Sequence, residues 1–256
     1  MSLAGKNALI TGGSRGIGRA VALLLAERGA DVAFTYRSNR EAGDEVVRGI
    51  QALGRRAAAV ECDVGDPAQI RAAFEGVRRE FGSLDILVAN AAATAFKPLL
   101  DVKEHHIART YGITVTGFVL CVQEAAKLMD GRRGRIVAVS GIDSVAVLRD
   151  HAVLGSAKAA LEALVKYLAV ELGPRGITVN AVNPGLVETD SARRYLGEGY
   201  AALRDRVAAA TPAGRAASPE DIARVVAFFC SDDAAWVTGQ TLIADGGLTL
   251  ASPLFA

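Results

Sequence analysis

Short apolar runs alternate with longer amphipathic ones along the whole of this 256-residue chain. Asn7-Ala8-Leu9-Ile10-Thr11 reads as a buried strand, residues 16–28 as a helix closed by Gly29, and residues 31–36 as a second strand. A helix over 40–53 and a strand over 57–62 follow. Pro67 then opens a helix running to Phe81, since proline suits a first helical turn. A strand over 84–89 precedes a long helix from Glu104 to Met129, weakened by Gly112 and Gly117. A strand over 135–140, a helix over 152–172 stopped by Gly173-Pro174, and strands over 177–182 and 240–244 complete the series. Strands that are apolar throughout and alternate with helices belong to a parallel sheet covered on both faces. Right-handed crossovers then predict an α/β fold, a doubly wound Rossmann-type parallel sheet of about seven strands with helices on both faces. No linker or repeat divides the chain, so residues 1–256 read as a single domain. The one long irregular stretch, 184–217, follows the sixth strand and makes 186–210 a candidate substrate loop.

Composition narrows the function classes. Apolar residues make up 51% and charged residues 22%, which excludes a disordered chain. Lys+Arg is 29 against Asp+Glu 28, so no basic surplus points to nucleic acid. No apolar run reaches the roughly 18 residues of a membrane span. Met1 to Lys6 lacks the charge block, apolar stretch and cleavage site of a secretory signal, and the expectation is a cytoplasmic protein. Cys62, Cys121 and Cys230 are far apart and form no CxxC pair, so neither a disulfide framework nor a metal site is expected.

The first strand runs into Thr11-Gly12-Gly13-Ser14-Arg15-Gly16-Ile17-Gly18, which opens the first helix. Strand, glycine turn and helix in that order form a dinucleotide site. Gly12 permits the sharp turn, Gly16 lets backbone N–H groups approach a pyrophosphate, and Gly18 lets the helix pack on the sheet. Readers of NAD place an acid at the end of the second strand for the ribose diol. Here that strand ends Tyr36-Arg37-Ser38. Arg15 and Arg37 would clamp a 2′-phosphate and Ser38 would add a hydroxyl, which predicts NADPH.

The TGxxxGxG spacing resembles the short-chain dehydrogenase/reductase family, and further motifs recur in order along the chain. Asp63-Val64 follows the third strand, where the family contacts adenine, and Asn90-Ala91-Ala92-Ala93 follows the fourth. Lys158 stands where the family has its active-site lysine. Asn183-Pro184-Gly185 follows the sixth strand, with Val187 and Thr189 where the family contacts the carboxamide and phosphates. The resemblance implies that these residues bind the cofactor. The family's usual Ser, its Tyr thirteen later and its Lys four after that align with Gly141, Leu154 and Lys158, and its supporting Asn with Thr114. Only the lysine is kept.

The enoyl-thioester reductases of the family carry Tyr-x6-Lys, and that spacing falls on His151. Residues 123–129, 156–164 and 167–172 are similar to the bacterial short-chain enoyl-acyl carrier protein reductases. The resemblance implies reduction of an enoyl thioester on acyl carrier protein or CoA. Such a reduction places negative charge on the thioester oxygen, where a hydrogen-bond donor suffices. His151 is the expected donor, most simply as a neutral ring beside the Lys158 cation. Ser144 is a second donor, and Lys158 would hold the nicotinamide ribose. Tyr111, Tyr195 and Tyr200 are displaced donors in reserve, and His105-His106 reads as a polar helix start. Two other functions remain open: reduction of a ketone, imine or enone, and cofactor binding without turnover. The helix over 152–172 is apolar nearly all round, which predicts a homo-oligomer, dimer or tetramer, with the tail Leu248 to Ala256 as a second contact.

Overall fold

The computed structural model describes residues 1–190, 192–193 and 197–251. Seven strands form one parallel sheet: β1 (Asn7–Ile10), β2 (Asp31–Tyr36), β3 (Ala57–Glu61), β4 (Ile86–Ala89), β5 (Arg135–Val139), β6 (Thr178–Pro184) and β7 (Thr241–Ala244). Their order is β3-β2-β1-β4-β5-β6-β7. The central strand β1 pairs on both sides, Leu9 lying opposite Ala33 of β2 and Leu87 of β4. Every residue of β1, β2, β4, β5 and β6 is buried, which is why these strands show no polar alternation.

The described helices are α1 (Gly16–Glu27), α2 (Arg40–Ala52), α3 (Pro67–Phe81), α4 (Glu104–Tyr111), α5 (Gly117–Leu128), α6 (Ala152–Leu172), α7 (Tyr200–Ala210) and α8 (Pro219–Phe229). One core joins α1, α2 and α8 to one face of the sheet through Ile10, Phe34 and Val137. The other joins α3, α5 and α6 to the opposite face through Leu9, Leu87 and Ile136. Side-chain caps fix three starts: Asn39 accepts from Ala42 N–H ahead of α2, Asp66 accepts from the N–H groups of Ala68 and Gln69 ahead of α3, and Ser218 shares a capping box with Asp221 ahead of α8. The doubly wound architecture is the one the hydrophobic pattern predicts. The direction of winding reverses between β1 and β4, and that reversal opens a crevice at the carboxyl ends of the strands.

Two expectations change. The helix expected over 104–129 is α4 and α5 joined by a π-helical turn, Gly112–Thr116. A Cβ on Gly117 would collide with the Val64 carbonyl, so the chain can rest on that backbone only with glycine there. The stretch 184–217 is not irregular throughout, because it contains α7, anchored by buried Tyr200. Helix α6 is not covered on all sides within one chain: Leu161, Val165 and Ala169 face the core, while Tyr167 and Val170 are about three-quarters exposed. Tyr195 and the tail beyond residue 251 lie outside the described residues. Among those described, no helix is long and apolar enough to cross a membrane.

Candidate active site

The glycine turn sits at the β1/β4 reversal and is tied down by backbone and buried side chains. Gly12 and Gly16 have positive φ, 70° and 52°, which glycine adopts without strain. The Thr35 hydroxyl accepts from Gly12 N–H at 3.1 Å. Asn90 donates its side-chain amide to the carbonyls of Thr11 (3.0 Å) and Gly12 (3.1 Å), and the N–H groups of Asn90 and Ala91 both donate to the Thr11 hydroxyl. Asn90 is thus a brace for the turn. A Cβ on Gly18 would run into the Gly12 carbonyl and stand 2.7 Å from the Asn90 amide nitrogen. That glycine therefore serves the turn itself rather than helix-to-sheet packing.

Around this turn the structure gathers most of the residues expected to hold a dinucleotide. The Thr189 methyl lies 3.3 Å from where a Gly16 Cβ would stand, placing the segment after β6 over the mouth of the turn. Pro184 and Val187 are buried, and Gly185 packs so closely on Asp245 that its Cβ would lie 2.9 Å from that residue's Cβ. Ser14 and Ile17 are partly exposed at the start of α1, which has no side-chain cap and no acid in its first turn, so its N–H groups are left for an anion. Arg15, Arg37 and Ser38 are exposed, and among the described residues neither arginine has an acidic partner. Asp63 accepts from Gly65 N–H at 2.9 Å and from Arg109 of α4 at 3.2 Å, while Val64 is buried beneath it. A turn that only glycine can make, an uncapped helix start and two unpaired cations fit a phosphorylated dinucleotide.

The other side of the crevice is the loop from β5 into α6. Lys158 is buried and donates from Nζ to the Val139 carbonyl at 2.6 Å. Burial pushes its ammonium down to about 8, against the carboxylates of Asp143 and Glu162, which favour the cation. His151 stands at the start of α6 with its ring 4.5 Å from that of Phe96. Its Nδ1 lies 3.3 Å from Oδ2 of Asp143, whose side chain is only 6% exposed. Asp150, just before His151, has φ 64°, the only positive value at a non-glycine among the described residues, and its carbonyl accepts from Lys97 N–H at 3.1 Å. That bond ties the loop bearing Phe96 to the one bearing His151.

Ser144 is placed elsewhere. Its hydroxyl donates to Glu162 at 2.7 Å and accepts from the Asn183 amide at 2.8 Å, while Ser140 donates to the same Glu162 oxygen at 2.5 Å. This is a polar clasp between β5, β6 and α6. Leu154 fills the usual tyrosine position. Thr114 lies buried in the π-helical turn, and its hydroxyl has no partner among the described residues. Tyr200 bonds Glu188 at 3.3 Å, and His106 accepts from Lys103 N–H at the start of α4, as a polar helix start would. Sequence reasoning missed Asp143. The signal lay in the text: an acid two residues beyond a vacated serine position, with a histidine eight residues further on.

Comparison with known proteins finds relatives along nearly the whole chain. The family model described as enoyl-(acyl carrier protein) reductase matches residues 12–249. The chain is 43% identical over 251 residues to 1-cyclohexenylcarbonyl-CoA reductase from Streptomyces collinus, covering 96% of this chain and 88% of that one. It is 39% identical over 254 residues to versicolorin reductase 1 from Aspergillus parasiticus, covering 96% and 97%. The crystal structure of a short chain dehydrogenase from Burkholderia cenocepacia in complex with NADP superposes with TM-score 0.90 at 38% identity, covering 97% of this chain and 100% of that one.

Proposed function

The chain belongs to the short-chain dehydrogenase/reductase family and is an NAD(P)-dependent reductase, and we propose that its substrate is an enoyl thioester and its cofactor NADPH. One observation carries the reading. Where the family's tyrosine would stand there is Leu154, and the polar group brought to the site is His151, joined through Asp143 to the surroundings of Lys158. A carbonyl reductase needs a strong acid at a developing alkoxide, and losing it costs roughly 100- to 10,000-fold. An enoyl thioester asks for less, because its charge develops as a delocalised enolate oxygen that one donor can stabilise.

Arg15, Arg37 and Ser38 would take the 2′-phosphate, and the N–H groups at the start of α1 the pyrophosphate. Asp63, Val64, Asn90 and Ala91 would line the adenine and ribose side, and Pro184, Gly185, Val187 and Thr189 the nicotinamide side. A nicotinamide held by these residues would supply the hydride for the β-carbon of the substrate. Lys158 holds the ribose hydroxyls and adds positive potential, while His151 donates to the thioester oxygen. The loops that carry Phe96 and His151 also expose Leu99, Leu100, Val147 and Leu148, an apolar rim suited to an acyl group. A CoA thioester in the name of the Streptomyces relative supports the same substrate class. Acyl carrier protein is the other carrier this reading admits. The exposed Tyr167 and Val170 of α6 support pairing of two copies along that helix.

The test is NADPH oxidation with a short trans-2-enoyl thioester, a β-ketoacyl thioester and an NADH control run in parallel. Turnover of the enoyl substrate alone, with NADPH preferred at least about tenfold, is expected from a one-phosphate difference of roughly 1.4 kcal/mol. Turnover of the keto substrate alone would overturn the reading.

A further inference from the structure

We propose that Asp143 is the positioning residue of this site: it fills the space of the missing serine and holds His151 so that only its doubly protonated ring donates to the substrate. The inference rests on the role of His151 proposed above and adds what governs it. The first support is steric. A Cβ on Gly141 would stand 2.7 Å from Asp143 Oδ1, and a Cβ on Gly155 would collide with the Asp143 carbonyl. Glycine at both positions lets the loop fold back and bring the carboxylate where it lies. A serine at 141 would push it away from this position. The absent serine and the present aspartate are therefore one change and not two.

The second support is the hydrogen-bonding inventory. A carboxylate only accepts, so the Nδ1 that faces Asp143 Oδ2 carries the hydrogen. A neutral ring with Nδ1–H has a bare lone pair at Nε2 and nothing to donate there. Donation to a substrate oxygen from Nε2 therefore requires the imidazolium. This replaces the neutral donor that the lysine alone suggests. The Asp143 carboxylate sits nine-tenths buried and acts on both cations, His151 directly and Lys158 through space. Left without such a partner, a buried carboxylate is strongly destabilising. The charged groups on the elements around His151 are Asp143, Lys158 and Glu162 on α6, Asp150 beside it and Lys97 across the loop contact. Phe96 packs against the ring at a tilt of 46° and limits its rotation.

In the reduction the Nε2–H of the imidazolium hydrogen-bonds the thioester oxygen as the enolate forms, and the proton stays on nitrogen. A solvent proton then forms the C–H bond at the α-carbon, the thioester carbonyl re-forms, and the ring and the Asp143 carboxylate are unchanged.

The chain has three histidines, so nitrogen–proton correlation NMR resolves all of them, and His151→Gln assigns the relevant one. The neutral wild-type ring is expected as the Nδ1–H tautomer, and Asp143→Asn shifts it toward Nε2–H. Asp143→Asn is expected to lower kcat on the enoyl thioester about tenfold, because a neutral and less firmly held donor replaces a charge-assisted one at the developing oxyanion, with NADPH affinity within about twofold. Gly141→Ser keeps both Asp143 and His151 and is expected to show the same tautomer shift and a comparable loss. An Nε2–H tautomer in the wild type, or full activity in both variants, would overturn the proposal. If His151→Gln alone kept full activity, the reading of His151 would fail first. If only His151→Gln lost activity, His151 would stand and Asp143 would not.

Discussion

The two sides of the crevice are held together by different means. On the cofactor side, the turn from Thr11 to Gly18 is fixed through its main chain: Gly12 and Gly16 have positive φ, and the Thr35 hydroxyl and Asn90 amide clasp the backbone N–H of Gly12 and two backbone carbonyls. On the catalytic side, between Gly141 and Glu162, side chains do the fixing: Asp143 on His151, and Ser140, Ser144 and Asn183 on Glu162. A backbone-built site admits few sequences, because only glycine fits where a Cβ would strike a carbonyl. A side-chain-built site can be emptied and refilled, provided that buried charges keep partners. This explains how one half of the crevice retains its motif while the other has replaced three of its four usual groups.

The sharpest way to break that comparison is Gly18→Ala. The added Cβ has nowhere to go, because its neighbours are the Gly12 carbonyl and the Asn90 amide, both already bonded. The expected loss exceeds about 3 kcal/mol, the upper end for overpacking, and isothermal titration should show no NADPH binding. Tight binding by a folded Gly18→Ala protein would mean that the turn is more pliable than its contacts require.

The same contrast explains what was legible in the sequence. All seven strands could be read, five of them because burial on both faces leaves an unbroken apolar run, and so could the glycine turn and Lys158. The π-helical turn at Gly112–Thr116 was not legible. Its cause is the approach of Gly117 to the Val64 backbone, a contact between residues more than fifty apart in the chain. Helix α7 was missed because its alanine-rich text carries no clear apolar stripe. Ser144 looked like a free hydroxyl, since nothing local announces that Glu162, eighteen residues on, will claim it. Asp143 escaped for a related reason. Family motifs name the residues that are usual at a site, and a replacement arriving from a neighbouring position has no place in them.

A second prediction sharpens the contrast on the catalytic side. Lys158→Met should stabilise the protein in the absence of cofactor while abolishing tight cofactor binding. Burial that moves the lysine from 10.5 to about 8 corresponds to about 3 kcal/mol of penalty on the folded state when the group is charged. Removing the donor from the Val139 carbonyl returns about 1 kcal/mol of that, leaving a net gain of about 2 kcal/mol at pH 7. The sign with pH follows from linkage. Below pH 8 both states hold the proton and the wild type bears the full penalty. Between 8 and 10.5 the unfolded chain holds it and the folded chain does not, so wild-type stability rises with pH. The advantage of the variant therefore narrows across that window, as urea denaturation at pH 7, 8, 9 and 10 would show. An advantage constant with pH would mean that Lys158 keeps an ordinary ammonium in the fold.

The smallest expected effect comes from the one part of the cofactor side that is not built from backbone. Arg15 and Arg37 are exposed, and among the described residues they lack acidic partners, so neither is held in place by the fold. Their contribution is a charge-assisted contact with a 2′-phosphate, screened by solvent and offset by the entropy of ordering two long side chains. Replacing both by alanine should therefore weaken NADPH binding by only about tenfold, roughly 1.4 kcal/mol, and leave NADH binding unchanged. The weakening should shrink as salt rises, because a contact in water is screened within about 8 Å at physiological ionic strength. Melting temperature should not move, since no ion pair among the described residues is lost. Loss of NADH affinity as well would assign the arginines to the shared pyrophosphate rather than to the 2′-phosphate. A salt-independent loss would mean that the clamp closes into a dry pocket, making this edge as tightly determined as the turn beside it.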